Sequence, residues 1–145
     1  MTQSTDFSGA KIAIFLGSNL LVIRRDDKPD IPYPGHWDLM GGGREGDEAP
    51  IDCALRETKE EVGLDIAAQD VSWSRTYMRP RGRVWLFATH QPAHLVQKVV
   101  FGDEGQEWQL MDPQIYCDHR LAVPHFATNL ADYIRSNAYK RYKVA

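Results

Sequence analysis

At 145 residues and 43% hydrophobic content, the chain has the size of one ordinary domain and enough apolar surface to bury a core without staples. A formal net charge of -3 gives no global attraction to nucleic acid or to an anionic membrane, so any polyphosphate partner needs neutralisation from elsewhere, bound cations being the simplest source. Two cysteines without zinc-type spacing, no basic-and-apolar leader and no membrane-length run fit a soluble protein of the cytoplasm, working as a monomer or homodimer.

After about ten polar residues expected to be flexible, the apolar runs Lys11 to Leu16 and Leu20 to Arg25 flank Gly17-Ser18-Asn19 and predict two consecutive strands. Pro29, Pro32 and Pro34 turn Asp26 to Gly35 into a surface loop, because each proline lacks an amide donor and restricts its predecessor. Trp37 to Met40 reads as a short strand ending in the glycine loop Gly41-Gly42-Gly43. A helix follows: Asp47 is placed to cap it, Pro50 suits its first turn, and Ile51, Ala54, Leu55, Thr58 and Val62 recur with helical spacing before Gly63 stops it. Val71 to Arg79 and Arg83 to His90 predict a hairpin around Pro80-Arg81-Gly82. Val96 to Phe101 and Glu107 to Met111 read as short strands, and Val123 to Tyr139 as a C-terminal helix. This order predicts an α+β fold, a mixed sheet with helices packed on it, in one domain over residues 1–145.

The chemistry concentrates in the first helix. Glu57, Glu60 and Glu61 fall on one face at about 100° per residue, roughly 120° away from the apolar stripe. Surface helices are commonly charged, so three glutamates alone describe a solvated face. The neighbouring glycines change that weighting: carboxylates this close repel unless hydrated or bridged by cations, and oxygen-only ligands suit hard ions such as Mg²⁺ or Mn²⁺. Gly41 and Gly42 let backbone approach a metal or phosphate closely. Arg56 is placed to pair with Glu48, eight residues earlier, and so to orient helix and loop.

The pattern of Gly42, five residues, Glu48, seven residues, then Arg56-Glu57-Thr58-Lys59-Glu60-Glu61-Val62-Gly63 matches the Nudix box, and the chain resembles the Nudix (MutT-like) hydrolases. Two departures are Thr58 at a commonly aliphatic position and Met40 where relatives often carry proline. The resemblance implies an α/β/α sandwich and divalent-cation-dependent cleavage of a pyrophosphate bond in a small-molecule nucleoside diphosphate derivative. It implies metal ligation by the Gly41 carbonyl with Glu57, Glu60 and Glu61, and it points to Glu104, in Glu104-Gly105-Gln106-Glu107-Trp108, as a further ligand with Glu107 as its competitor.

Gly42, Arg44, Glu48 and Arg79 are weaker substrate-site candidates, with Arg81 and Arg83 beside them, since a guanidinium fork suits phosphate. Tyr33, Tyr77, Trp85 and Phe126 offer faces for a base, although aromatics on strands and amphipathic helices more often serve the core. The histidines are scattered and read as structural. Two rival readings remain: a Nudix-fold module that binds a nucleotide without cleaving it, opposed by the intact glutamates, and a Nudix-fold isomerase, for which Cys53 and Cys117 lack evident partners.

Overall fold

Seven strands form one mixed sheet in the computed structural model, which describes residues 6–144. They are β1 (Gly9–Leu16), β2 (Asn19–Arg24), β3 (Trp37–Asp38), β4 (Met40–Gly43), β5 (Val71–Arg79), β6 (Gly82–Gln91) and β7 (Glu107–Met111). The central order is β3-β2-β1-β6-β5, with β4 beside β1 and β7 beside β2. Only β1 and β6 run parallel, and every other pairing is antiparallel.

Both faces of the sheet are covered, which is why β1 is apolar almost throughout instead of alternating. Ile12, Ile14 and Leu16 belong to a core with Cys53, Ala54 and Val62 of α1 (Pro50–Val62). Ala13 and Phe15 join Tyr116, Leu130, Tyr133 and Tyr139 on the opposite face. That second layer consists of α2 (Pro113–Asp118), α3 (Pro124–Ile134) and α4 (Asn137–Val144), so the expected α+β class holds and the arrangement is an α/β/α sandwich. Among the described residues, no helix is long and apolar enough to cross a membrane.

Several local expectations change. The expected flexible stretch 1–10 lies outside the described residues as far as residue 5, but Phe7 is buried and β1 already begins at Gly9. The glycine triplet is part of a strand, β4, whose Gly41, Gly42 and Gly43 pair with Lys11, Ala10 and Gly9. Helix α1 starts after Ala49 instead of being capped by Asp47, since Pro50 alone sets its first turn, and it ends at Gly63 as expected. Val96 to Phe101 is not a strand: a 3₁₀ turn at Ala93–Lys98 leads into amides that cap the free end of α1, Val100 donating to the Val62 carbonyl and Gly102 to that of Glu61, each at 2.9 Å. The C-terminal helix breaks where the Ser136 hydroxyl accepts the Tyr139 amide and starts a new helix. Asp112 and Pro113 nucleate α2, which the chain spells out in that capping pair.

Candidate active site

Strand β4 and helix α1 lie against each other where the glycines leave room for carboxylates. Gly41 has φ +126°, and a side chain there would overlap the Ala10 carbonyl. Its amide donates to Glu61 Oε1 at 2.9 Å. A Cβ on Gly42 would stand 2.7 Å from the carboxyl carbon of Glu57. The backbone therefore cradles two carboxylates one helical turn apart: no side chain fits at Gly41, and one at Gly42 would push the Glu57 carboxylate aside.

Arg56 organises the same region. It donates to Glu48 through Nη2 at 2.9 Å and Nε at 3.1 Å, the expected pairing, and also reaches Glu57 at 3.1 Å, Glu60 at 3.2 Å and the Gly43 carbonyl at 3.0 Å. This guanidinium holds the Glu48 carboxyl down at about 2, with the Glu45 amide helping. Burial acts the opposite way on the cradle carboxylates: it pushes Glu61 up to about 7, against the pull of Lys11 and the Gly41 amide, and it raises Glu57 against the pull of Arg56.

Beside the cradle lies a second charged group that the sequence reading passed over. Lys11 stands in an apolar strand with its side chain 13% exposed, and its ammonium donates to Asp38 Oδ2 at 3.1 Å, the Leu39 carbonyl at 3.2 Å and the Gly41 carbonyl at 3.0 Å. Arg25 donates to the same Asp38 oxygen at 2.9 Å. Asp38 is 5% exposed, and its Oδ1 is buried without a hydrogen-bond partner among the described residues.

These groups floor a cleft of about 630 Å³, a volume suited to a nucleotide-sized ligand. Arg79 and Arg81 of the β5–β6 hairpin border it, and Tyr33, His125 and Phe126 form an aromatic side. That side is brought over by main-chain pairing: Trp37 donates to Leu121 at 2.7 Å and Val123 to Trp37 at 3.0 Å, which fixes the entry to α3 beside β3. Tyr33, the one non-glycine residue with positive φ among the described residues, sits on the proline loop, and Arg25 holds the neighbouring Pro32 carbonyl at 2.9 Å. Its ring lies 5.7 Å from that of His125, itself 4.2 Å from Phe126. Burial lowers the His125 pKa, keeping the ring neutral at pH 7. Glu104 reaches the cleft because its turn is pinned at both ends, by the Gly102 amide on the Glu61 carbonyl and by the Gln106 amide on that of Arg24.

Of the residues singled out from sequence, Gly41, Gly42, Glu57, Glu61, Glu104 and Arg79 line this cleft. Glu60 shares their helical face but is 57% exposed and is held by Arg56 outside the lining. Glu48 and Arg56 stand behind the carboxylates. Arg44 is displaced from its expected place: it follows the end of β4, and its guanidinium packs 4.9 Å over Phe7, outside the cleft lining. Glu107 pairs with Arg24 at 3.7 Å and stands outside the cleft lining, which Glu104 joins. Tyr77 bonds Asp132 and Trp85 stacks on Phe87, away from the cleft, whereas Tyr33 and Phe126 line it. Lys11, Asp38 and His125 were missed. The first two carried a signal, a charge embedded in an apolar strand, which needs a partner. Cys53 and Cys117 are free thiols, and burial raises both.

Comparison with known proteins agrees with this construction. The chain is 26% identical over 125 residues to an uncharacterised Nudix hydrolase of Pseudomonas aeruginosa, a match covering 84% of this chain and 72% of that protein. The fold resembles the MutT protein of Methanosarcina mazei, with a TM-score of 0.72 and 20% identity over 90% of this chain and 94% of the other. It also resembles the dihydroneopterin triphosphate pyrophosphohydrolase of E. coli, with a TM-score of 0.63 and 19% identity over 84% and 90% of the two chains. At these identities the structural likeness speaks for the fold. Residues 7–129 match the family model of the NUDIX domain, a span that takes in the glycine strand, the acidic helix and the Glu104 turn, and the chain belongs to the Nudix hydrolase family.

Proposed function

We propose that this chain hydrolyses a pyrophosphate linkage in a small-molecule nucleoside diphosphate derivative, using Mg²⁺ or Mn²⁺. The observation that carries the proposal is the cradle: Glu57 and Glu61, both driven up in pKa by burial, face one cleft with Gly41, Gly42 and Glu104. Concentrating carboxylates in a shielded place is costly unless cations repay it. The donor set is oxygen only, which fits a hard divalent ion. Glu57, Glu60, Glu61, Glu104 and the Gly41 carbonyl are the proposed ligands. Among the described residues no three of the acidic, histidine or cysteine side chains already converge on a metal-binding point. Arg56 holds Glu57 and Glu60 and the Gly41 amide holds Glu61, so ligation requires these side chains to re-aim.

Bound divalent ions supply polarisation of the phosphoryl oxygens and a lowered pKa for an attacking water. The protein supplies the rest. Arg56, anchored by Glu48, holds Glu57 at the cradle, and the Gly41 amide holds Glu61. Arg79 and Arg81 offer planar forks to phosphate oxygens along the open rim. Tyr33, neutral His125 and Phe126 present ring faces to a heterocycle. The E. coli neighbour is named a triphosphate pyrophosphohydrolase, a reaction of the same type.

A product-resolved screen tests this reading, with Mg²⁺ or Mn²⁺ over nucleoside triphosphates, oxidised nucleotides, dinucleoside polyphosphates, ADP-ribose, NADH and sugar nucleotides. Metal-dependent cleavage between two phosphorus atoms of at least one class is the expected result. Tight nucleotide binding with cleavage of none favours a silent binding module instead.

A further inference from the structure

We propose that Lys11 is a tethered cation that occupies the Gly41 carbonyl while the cleft holds no divalent ion, and that it sets how tightly the cleft takes one. The inference rests on the metal-dependent reading above and concerns a residue that reading does not use.

An ammonium has three donors, and all three of Lys11 are spent on Asp38 Oδ2, Leu39 O and Gly41 O, each within 3.2 Å. Gly41 thus meets a charge through each of its backbone polar groups: its carbonyl receives Lys11, and its amide holds Glu61. The ammonium also acts on both cradle carboxylates through space, favouring the ionised form of Glu57 and of Glu61. In the absence of metal, this charge acts with those of Arg25 on Asp38 and Arg56 on Glu57 to offset the repulsion among Glu57, Glu61 and Asp38.

A divalent ion entering the same place meets two obstacles from Lys11, a like charge and an occupied carbonyl oxygen. A further acceptor for the ammonium stands on its own counter-ion. Asp38 Oδ1 is buried and unpartnered among the described residues, on the same carboxyl group that already binds Lys11, so the chain can turn from the Gly41 carbonyl to that oxygen without losing its counter-ion. Arg25 holds the carboxylate in place through either arrangement, and the ring of Phe126 offers the cation its face at 5.1 Å. Lys11 therefore stabilises the metal-free cleft and weakens its hold on the ion.

The test is direct Mn²⁺ binding without nucleotide, read from the electron paramagnetic resonance of free Mn²⁺, in the wild type, Lys11→Met and Lys11→Gln. Removing a unit charge several ångströms from a divalent ion is worth at least about tenfold in affinity even at the dielectric of water, so both variants bind Mn²⁺ about tenfold tighter or more. Both also melt lower than the wild type in chelator and gain more on adding Mn²⁺. Affinities equal to or weaker than wild type overturn the proposal while leaving the metal-dependent reading standing. A folded wild type that takes no Mn²⁺ overturns that reading, and this inference with it. A measurement needing no variant runs beside these: the Lys11 side-chain NMR resonances shift saturably as Mg²⁺ is added to the wild type, and an unmoved Lys11 at saturating Mg²⁺ also overturns the proposal.

Discussion

The floor of the cleft draws Gly41, Gly42, Glu57 and Glu61 from one strand-to-helix segment, whereas its aromatic wall takes Tyr33 from the proline loop and His125 and Phe126 from the entry to α3, nearly a hundred residues along. The floor is held by contacts within its own segment, such as Gly41 to Glu61 and Arg56 to Glu48. The wall is held at a distance by the pairing of Trp37 with Leu121 and Val123. On the proposed reading the chemistry belongs to the floor and the choice of substrate to the wall, and substitutions separate the two.

The largest effects fall on the floor. Glu57→Gln keeps the shape of the side chain and removes a charge from the proposed metal set, so kcat falls by about a thousandfold or more on whichever substrate the screen identifies. Turnover within a factor of ten of wild type removes Glu57 from the ligand set. Gly42→Ala leaves every charge in place but sets a methyl group 2.7 Å from the Glu57 carboxyl carbon, which turns that carboxylate off its mark. A loss of about a hundredfold in kcat follows from misplacing a reacting group by roughly an ångström. An unaffected Gly42→Ala shows that the carboxylate works from another rotamer.

The wall answers differently. Phe126→Ala and Tyr33→Ala each remove a ring face from the cleft, and a stacked base is worth about 1–3 kcal/mol. Because such stacking is made equally in the ground and transition states, KM rises about tenfold while kcat stays within about threefold. A kcat loss as large as the KM change would join wall to floor and end the distinction.

The same contrast explains what was legible in the chain. Glu57, Glu61, Gly41 and Gly42 were readable because helical spacing places carboxylates on one face whatever surrounds the helix. The pairing of Arg56 with Glu48 was readable because both lie within reach of one strand–helix connection. The wall was not, since no periodicity brings Leu121 to Trp37; that contact is a tertiary one. Val96 to Phe101 misled because an apolar β-branched run is equally suited to closing the end of a helix, where its amides meet the carbonyls of Glu61 and Val62. Arg44 misled because adjacency to the glycines says nothing about where a side chain just beyond β4 turns, and here it packs over Phe7. Lys11 shows the remaining gap: a lone lysine in an apolar strand announces a partner without saying which one.

The smallest effect expected is on stability, and it tests the cradle without requiring a substrate. In the folded protein Glu61 titrates near 7 against 4.5 for the free side chain. The folded state thus holds this proton more tightly than the unfolded chain does. Stability from this group is fully present below pH 4.5 and is lost as pH rises through 7. Glu61→Gln fixes the neutral form, and its amide oxygen can still accept the Gly41 N–H, so in chelator the variant and wild type melt together near pH 4. By pH 8 the variant is the more stable, by about 2 kcal/mol once partial exposure is discounted, or roughly 6 °C in Tm for a domain of this size. Saturating Mn²⁺ reverses the order at pH 8, because only the carboxylate repays its burial by binding the ion. A difference in Tm that stays flat from pH 4 to pH 8 assigns Glu61 an ordinary solvated pKa, and with it removes the energetic reason for a cation in the floor.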